Sequence, residues 1–346
     1  MLEPHHQLSV MAVDRYVYAD LTLCEENLLT LHNFDLEHLR WELTTEGMVI
    51  QTDDPRVNFV QKAMETALSF LQEKQADIKP FHLRINSELD DKSGKKYGLG
   101  SSAAVVTAVV AAILNQFSKE DATDEIIFKL AAVSHVAIQG NGSGADVAAS
   151  SYGGLLKYTS FQADWLLEAY NEANAIHELL TKDWTYFSVS SIPIPDDVYF
   201  CVGWTGSPAS TGSLVSQILT LKKEAPKKFE QFLSNSEAAV ATFLQGMNEG
   251  DHEKLFEGIK QNRQALATVG KEANVAIETP MLGTLCDLAE QLGGAGKPSG
   301  AGGGDCGIAF MPSKEKAEAL LEAWREAGIK PLDIHPDRRG AAILKK

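Results

Sequence analysis

The sequence predicts a protein of two unlike halves that mixes helices and strands, and three observations carry that prediction. Strand-like and helix-like segments alternate over residues 8–204, whereas residues 213–292 carry helical periodicity almost without strand signal. A chain of 346 residues, 44% of them hydrophobic, is long enough to bury the cores of two domains. Such alternation fits an α+β or an α/β class. The proline pair Pro193 and Pro195, set between two strand patterns, marks the expected junction, giving domains 1–190 and 191–346.

Residues 8–22 (LSVMAVDRYVYADLT) combine apolar runs with β-favouring Val and Tyr and predict one or two strands. Pro55 opens a segment in which Phe59, Val60, Ala63, Ala67 and Phe70 recur at helical spacing, so a surface helix with proline at its start is expected. Residues 80–89 alternate like a strand and run into the polar loop DDKSGKKYG. From Ala103 to Leu114 only Thr107 is polar, which predicts a central helix buried nearly all round and too short for a bilayer. A helix over 125–139, a strand over 153–160 and an amphipathic stretch over 165–180 follow. The strands YFSVSSIPI and VYFCVGW flank the prolines. After the helical region come the glycine cluster GGAGKPSGAGGGD, a short strand CGIAFM, and a last helix and strand.

Charge and cysteine content exclude several functions. A formal net charge of -16 repels nucleic acid and anionic membranes, so neither is an expected partner. Cys24, Cys201, Cys286 and Cys306 lie far apart without zinc-ligand spacing, which fits a reducing cytoplasm. The N-terminus lacks the basic flank and apolar core of a secretory signal. An acidic protein that binds an anionic ligand must build the site from local donors, which directs attention to glycines and helix starts.

Gly98-Leu99-Gly100-Ser101-Ser102-Ala103-Ala104 sits where a polar loop meets the buried helix, so amide N–H groups and the helix dipole are available to an anion. Ser101 and Ser102 carry hydroxyls able to cap the helix, bond phosphate or ligate Mg²⁺. A serine-capped core helix is the plain alternative. The string also meets the relaxed G-x-G-x-x-G/A dinucleotide fingerprint, with Glu120 and Asp121 beyond it, but the long polar loop ahead of it weighs against that reading. Gly296-Lys297-Pro298 is the nearest approach to a Walker A loop, and Pro298 stands where Ser or Thr is required.

Asp146 follows a second glycine-rich loop, GNGSGA, and reads either as a helix cap or as the group that accepts or orients a substrate proton in phosphoryl transfer. The cluster Pro298-Ser299-Gly300-Ala301-Gly302-Gly303-Gly304-Asp305-Cys306-Gly307 costs more conformational entropy than a plain turn warrants, which points to close backbone approach. Cys306 has no local base and reads as a small buried residue. Gly203-Trp204-Thr205-Gly206-Ser207-Pro208-Ala209-Ser210-Thr211 reads as a proline-containing turn or as hydroxyls gathered for an anion. Lys95 and Lys96 are either solvated loop residues or neighbours of a nucleotide.

KKYGLGSSAAVVTA resembles the second motif of the GHMP kinases, the Asp146 loop is similar to that of their mevalonate-type members, and SGAGGGDCG and GWTGSPAS resemble the branch that phosphorylates phosphomevalonate. The resemblance runs from about Leu2 to the C-terminal strand. It implies an α+β fold, with an N-terminal domain like domain 2 of ribosomal protein S5 and a ferredoxin-like C-terminal domain. It implies ATP, Mg²⁺ and phosphomevalonate as ligands. Gly98, Leu99, Gly100, Ser101, Ser102 and Ala103 are then expected at the ATP phosphates, with Ser102 as the Mg²⁺-linked hydroxyl and Asp146 as the catalytic acid group. Ser143, Ser210, Ser299, Gly300, Ala301 and Gly302 are expected at the acceptor. The related alternatives are a mevalonate kinase, another GHMP small-molecule kinase, or a shortened, inactive nucleotide-binding form.

Two departures from the family pattern stand out. His135 lies eleven residues before Asp146, where similar mevalonate kinases carry a metal-binding Glu, and it is expected to be packed and hydrogen-bonded instead. The family's opening strand with its Pro-Gly-Lys segment precedes the counterpart of Leu2-Glu3-Pro4, so no N-terminal lysine partner for Asp146 can be carried over. The expectation is a late start site, with poor solubility or little turnover for protein beginning at Met1.

Overall fold

The computed structural model describes residues 3–45, 47–89, 97–207 and 211–344. The chain opens with β1 (Gln7–Met11) and β2 (Val17–Leu23), two strands where the pattern allowed one or two. β3 (Leu28–Leu31), β4 (Leu36–Thr44) and β5 (Gly47–Ile50) follow in a region where the sequence pattern assigns no element. The reason is visible in β3: it is four residues long and buried at three of them, too short to display a period. Pro55 begins a 3₁₀ turn, capped by Asp54, rather than the helix itself, which is α1 (Asn58–Glu73). β6 (Phe81–Ser87) completes a five-stranded sheet of order β2-β6-β3-β4-β5, in which only β3 and β6 run parallel.

Helices pack over this sheet. α2 (Ser101–Phe117) lies on β2 and β6, α3 (Asp124–Gln139) crosses α1 and α2, and α4 (Ala145–Tyr152) sits against both α2 and α3. Val106, Val109, Val110, Ile113 and Leu114 of α2 have no solvent exposure, which explains why its sequence is apolar nearly all round. β7 (Leu155–Thr159) pairs with β1, and the expected amphipathic stretch over 165–180 is two helices, α5 (Ala163–Glu172) and α6 (Ile176–Thr181). They part where Ala173 turns to extended backbone. β8 (Ser188–Ile192) closes the antiparallel sheet β1-β7-β8.

The second half is built on a four-stranded antiparallel sheet. β9 (Tyr199–Trp204) is followed by α7 (Thr211–Glu224), α8 (Pro226–Glu249), α9 (His252–Glu272) and α10 (Pro280–Gln291). Then come β10 (Ala295–Pro298), β11 (Cys306–Met311), α11 (Lys314–Glu326) and β12 (Lys330–Leu332). The order β10-β11-β9-β12 is that of a ferredoxin-like β-α-β-β-α-β unit with four helices in its first crossover. The expected α+β class is therefore found. β10 lies inside the glycine cluster, where the sequence pattern assigns no strand: Gly296 lets α10 lie close, since a Cβ there would sit 3.1 Å from Cys286 Cα. Among the described residues no helix is long and apolar enough to cross a membrane.

α10 is started by Thr279, whose hydroxyl oxygen accepts the Leu282 N–H at 3.3 Å, with Pro280 in the first turn. Thr279→Ala is expected to cost about 1 kcal/mol, read as a lower urea midpoint at unchanged slope. Past β12 the chain turns back to the first sheet region. Asp337 N–H donates to Ala12 at 3.0 Å, Gly154 N–H to Asp337 at 2.7 Å, and Ala341 N–H to Ser151 at 3.2 Å. Tyr16 and Arg339 both donate to the Asp337 carboxylate, so the tail is fixed beside β1.

Candidate active site

The first loop owes its shape to two left-handed glycines, Gly98 (φ +77°) and Gly100 (φ +76°). A Cβ on Gly98 would lie 2.6 Å from the Asp305 carboxylate carbon, and one on Gly100 would lie 3.1 Å from Asp146 Cβ. Those two positions are where three separate loops converge. Gly100 is the N-cap of α2 and no side chain caps it, so the serine-capped alternative is not what the chain adopts. The first-turn amides are thus not covered by a capping side chain, the condition for receiving an anion there.

Ser102 directs its hydroxyl elsewhere: Oγ lies 3.0 Å from His135 Nε2. His135 is 4% exposed and packs against Phe59 with ring centroids 5.3 Å apart, a packed and hydrogen-bonded histidine as expected. Burial holds its pKa below the usual value, while the nearby charge of Asp146 acts in the opposite sense. In the tautomer protonated at Nδ1, Nε2 accepts the Ser102 proton and the hydroxyl lone pairs remain available.

Asp146 is the second residue of α4 and its Oδ1 accepts the Val147 N–H at 3.0 Å. It does not cap the helix; Gly144 holds that place at φ +73°. The glycine is required, because a Cβ there would stand 2.3 Å from Phe161 Cε1 and 3.0 Å from the Tyr158 hydroxyl. That hydroxyl donates to Ser143 O at 2.5 Å, so the loop carrying Ser143 and leading to Asp146 is anchored in the aromatic core.

The third loop is held from both sides. Ser299 N–H donates to Cys306 O at 3.0 Å, and Gly303 N–H to Ile277 O at 2.7 Å. Asp305 N–H donates to Ser207 O at 2.7 Å, and its own carbonyl accepts the Thr205 N–H at 2.9 Å and the Thr205 hydroxyl at 3.0 Å. The Thr205 hydroxyl, expected among the anion donors, is therefore engaged in holding Asp305. Ser210, Lys95 and Lys96 lie outside the described residues. Cys306 is buried, its thiol pushed up to about 12 by desolvation, and it donates to Tyr97 O at 3.3 Å; it is no nucleophile.

Gly98, Leu99, Gly100, Ser143, Asp146, Ser299, Gly300, Ala301 and Gly302 line one cleft of about 2010 Å³. Ser101, Ser102 and Ala103 form the first turn of α2 just behind it and do not line it themselves. Sequence reasoning missed three contributors. Asp305 reaches Gly98, and the tail from Arg339 to Leu344 forms part of the wall. Lys297 lines the cleft too, its ammonium pushed down to about 8 by burial. Its signal was a lysine beside the glycine cluster, informative only once the Walker pattern is set aside.

Two family models match the chain, GHMP kinases N terminal domain over residues 58–154 and GHMP kinases C terminal over residues 243–330. The chain belongs to the GHMP kinases. It is 32% identical to a phosphomevalonate kinase from Streptomyces sp. (strain CL190), covering 98% of this chain and 94% of that protein. Among solved structures it resembles the Lin0012 protein of Listeria innocua, with TM-score 0.91 and 38% identity over 96% of this chain and 92% of that one. It also resembles the phosphomevalonate kinase of Streptococcus pneumoniae in complex with phosphomevalonate and AMPPNP, with TM-score 0.83 and 27% identity over 96% and 94% of the two chains.

Proposed function

We propose that this chain transfers the γ-phosphoryl group of ATP to the phosphate of phosphomevalonate, forming diphosphomevalonate and ADP. One observation carries the reading: the α2 helix start, Asp146 and the third glycine loop meet at a single cleft, brought together through Gly98 and Gly100. The choice of acceptor draws on the Streptomyces and pneumococcal relatives.

In this reading the amides of Gly98 to Ala103 and the positive end of α2 receive the ATP phosphates. Ser143, Ser299, Gly300, Ala301 and Gly302 form the acceptor side. An acceptor phosphate is already ionised, so Asp146 serves more to orient it and to shape the local charge than to remove a proton. Among the described residues no cluster of three or more His, Cys, Asp or Glu could hold a metal ion unaided. Mg²⁺ does not need one, since it takes few protein oxygens alongside phosphates and water, and the Ser102 hydroxyl with Asp146 fits that requirement. Bound with ATP, Mg²⁺ offsets the charge of the transferring phosphoryl group. Ser102 would take that role through the hydroxyl lone pairs that its hydrogen bond to His135 leaves available.

The change of sheet falls between β8 and β9, at Pro193 and Pro195, and so supports a domain junction there; the expected limit of 190/191 lies inside β8. A cytoplasmic setting is supported by the free state of all four cysteines. With ATP and Mg²⁺, purified protein is expected to release ADP at least about tenfold faster with phosphomevalonate than with mevalonate, because a site built to bind a phosphate loses those bonds with the shorter substrate. Turnover confined to mevalonate contradicts the reading.

A further inference from the structure

Of the four lysine and arginine side chains that line the cleft among the described residues, three are matched by carboxylates. Arg15 faces Asp14 at 3.4 Å, Lys222 faces Glu3 at 2.8 Å and Arg339 faces Asp337 at 3.0 Å. Lys297 has no carboxylate partner among the described residues; its Nζ donates to the Pro298 carbonyl at 2.6 Å. Strand alternation sets where it points. Gly296 faces α10, so Lys297 faces the opposite side of β10, toward α9 and the open cleft.

Lys297 is half-buried, and one carbonyl satisfies only one of its three ammonium donors. The position is also telling. Lys297 stands two residues ahead of Ser299, on the strand that delivers the third glycine loop. We propose that Lys297 is the anion receptor of the acceptor half of the cleft, donating a charge-assisted hydrogen bond to the phosphate or carboxylate of the acceptor. This rests on phosphomevalonate as the acceptor, a molecule that carries both anions. Burial that weakens the ammonium by itself also strengthens its pairing with an anion.

A purely structural role would be to close the end of β10 through Pro298 O, and two variants separate the roles. Lys297→Met removes both the charge and the donor, whereas Lys297→Gln keeps a donor for Pro298 and loses the charge. Circular dichroism and a melting curve establish that each is folded. Both are expected to raise KM for phosphomevalonate by about tenfold to a hundredfold, with KM for ATP changed by less than about twofold and Tm at or above the wild-type value. Lys297→Arg is expected to recover part of the loss.

Mevalonate as a competitive inhibitor identifies the anion. Inhibition unaffected by Lys297→Met assigns the contact to the phosphate, and inhibition weakened in parallel assigns it to the carboxylate; either supports the receptor. An unchanged KM for phosphomevalonate in Lys297→Gln, or a lower Tm in Lys297→Met with both substrates equally weakened, overturns it. A wild-type protein that does not bind phosphomevalonate contradicts the acceptor reading and the receptor together. A working wild type with an unaltered Lys297→Gln contradicts the receptor alone.

Discussion

Asp146→Asn is expected to lower kcat by about 10²- to 10⁴-fold while KM for ATP stays within about twofold. The carboxylate is held in place by its own helix, through Val147 N–H, and Gly100 allows the phosphate loop to come within van der Waals distance of it. Asparagine keeps the size and one acceptor oxygen, so the fold and the nucleotide loop are preserved. What it loses is the negative charge that orients the acceptor and complements the cations of the transition state. Because the acceptor is ionised before it binds, the loss is expected in kcat rather than in the acid limb of a pH profile. Steady-state kinetics at saturating ATP decides it, and an unchanged kcat removes Asp146 from the mechanism.

Gly144→Val is expected to be the most damaging single change to stability near the site, costing about 2–5 kcal/mol. Left-handed backbone costs an L-residue roughly 1–2 kcal/mol, and forcing a side chain into a filled core adds about 1–3 kcal/mol. The core here is filled: the new Cβ would collide with Phe161, which has no solvent exposure and packs with Trp184 and Phe128. Gly140→Ala is the matched control. Its φ is +71°, yet a Cβ there meets nothing within 4 Å, so only the backbone cost of about 1–2 kcal/mol is expected. Urea unfolding of the pair separates collision from backbone strain. Since Asp146 lies two residues beyond Gly144, turnover of any folded Gly144→Val protein is expected to fall as well.

The parts of the site legible in the sequence are those whose reason is local. A left-handed turn, a helix start and a close backbone approach all call for glycine at fixed places, and the loops around Gly98, Gly144 and Gly302 display it. The buried helix α2 was legible for the same kind of reason, since a helix covered on every side is apolar on every side. β10 was not, because Gly296 and Pro298 suppress strand propensity and the strand exists through its pairing with β11 and the approach of α10. The tail beside β1 and the contact of Asp305 with Gly98 join residues some 200 or more positions apart, beyond any periodic pattern. Lys297 was visible as a residue and not as part of the cleft wall. Its environment depends on α9 and the cleft, which only the assembled sheet defines.

The central claim is that the acceptor atom is a phosphate oxygen, and phosphorus NMR of the product mixture tests it most directly. Transfer to a phosphate creates a P–O–P bond, so phosphomevalonate, ATP and Mg²⁺ with the purified protein should yield a pair of mutually coupled doublets that grow as the phosphomonoester signal disappears and ADP accumulates. A phosphomonoester signal that persists unchanged in that mixture, while a parallel mixture with mevalonate in its place gains an uncoupled monoester singlet, would contradict it.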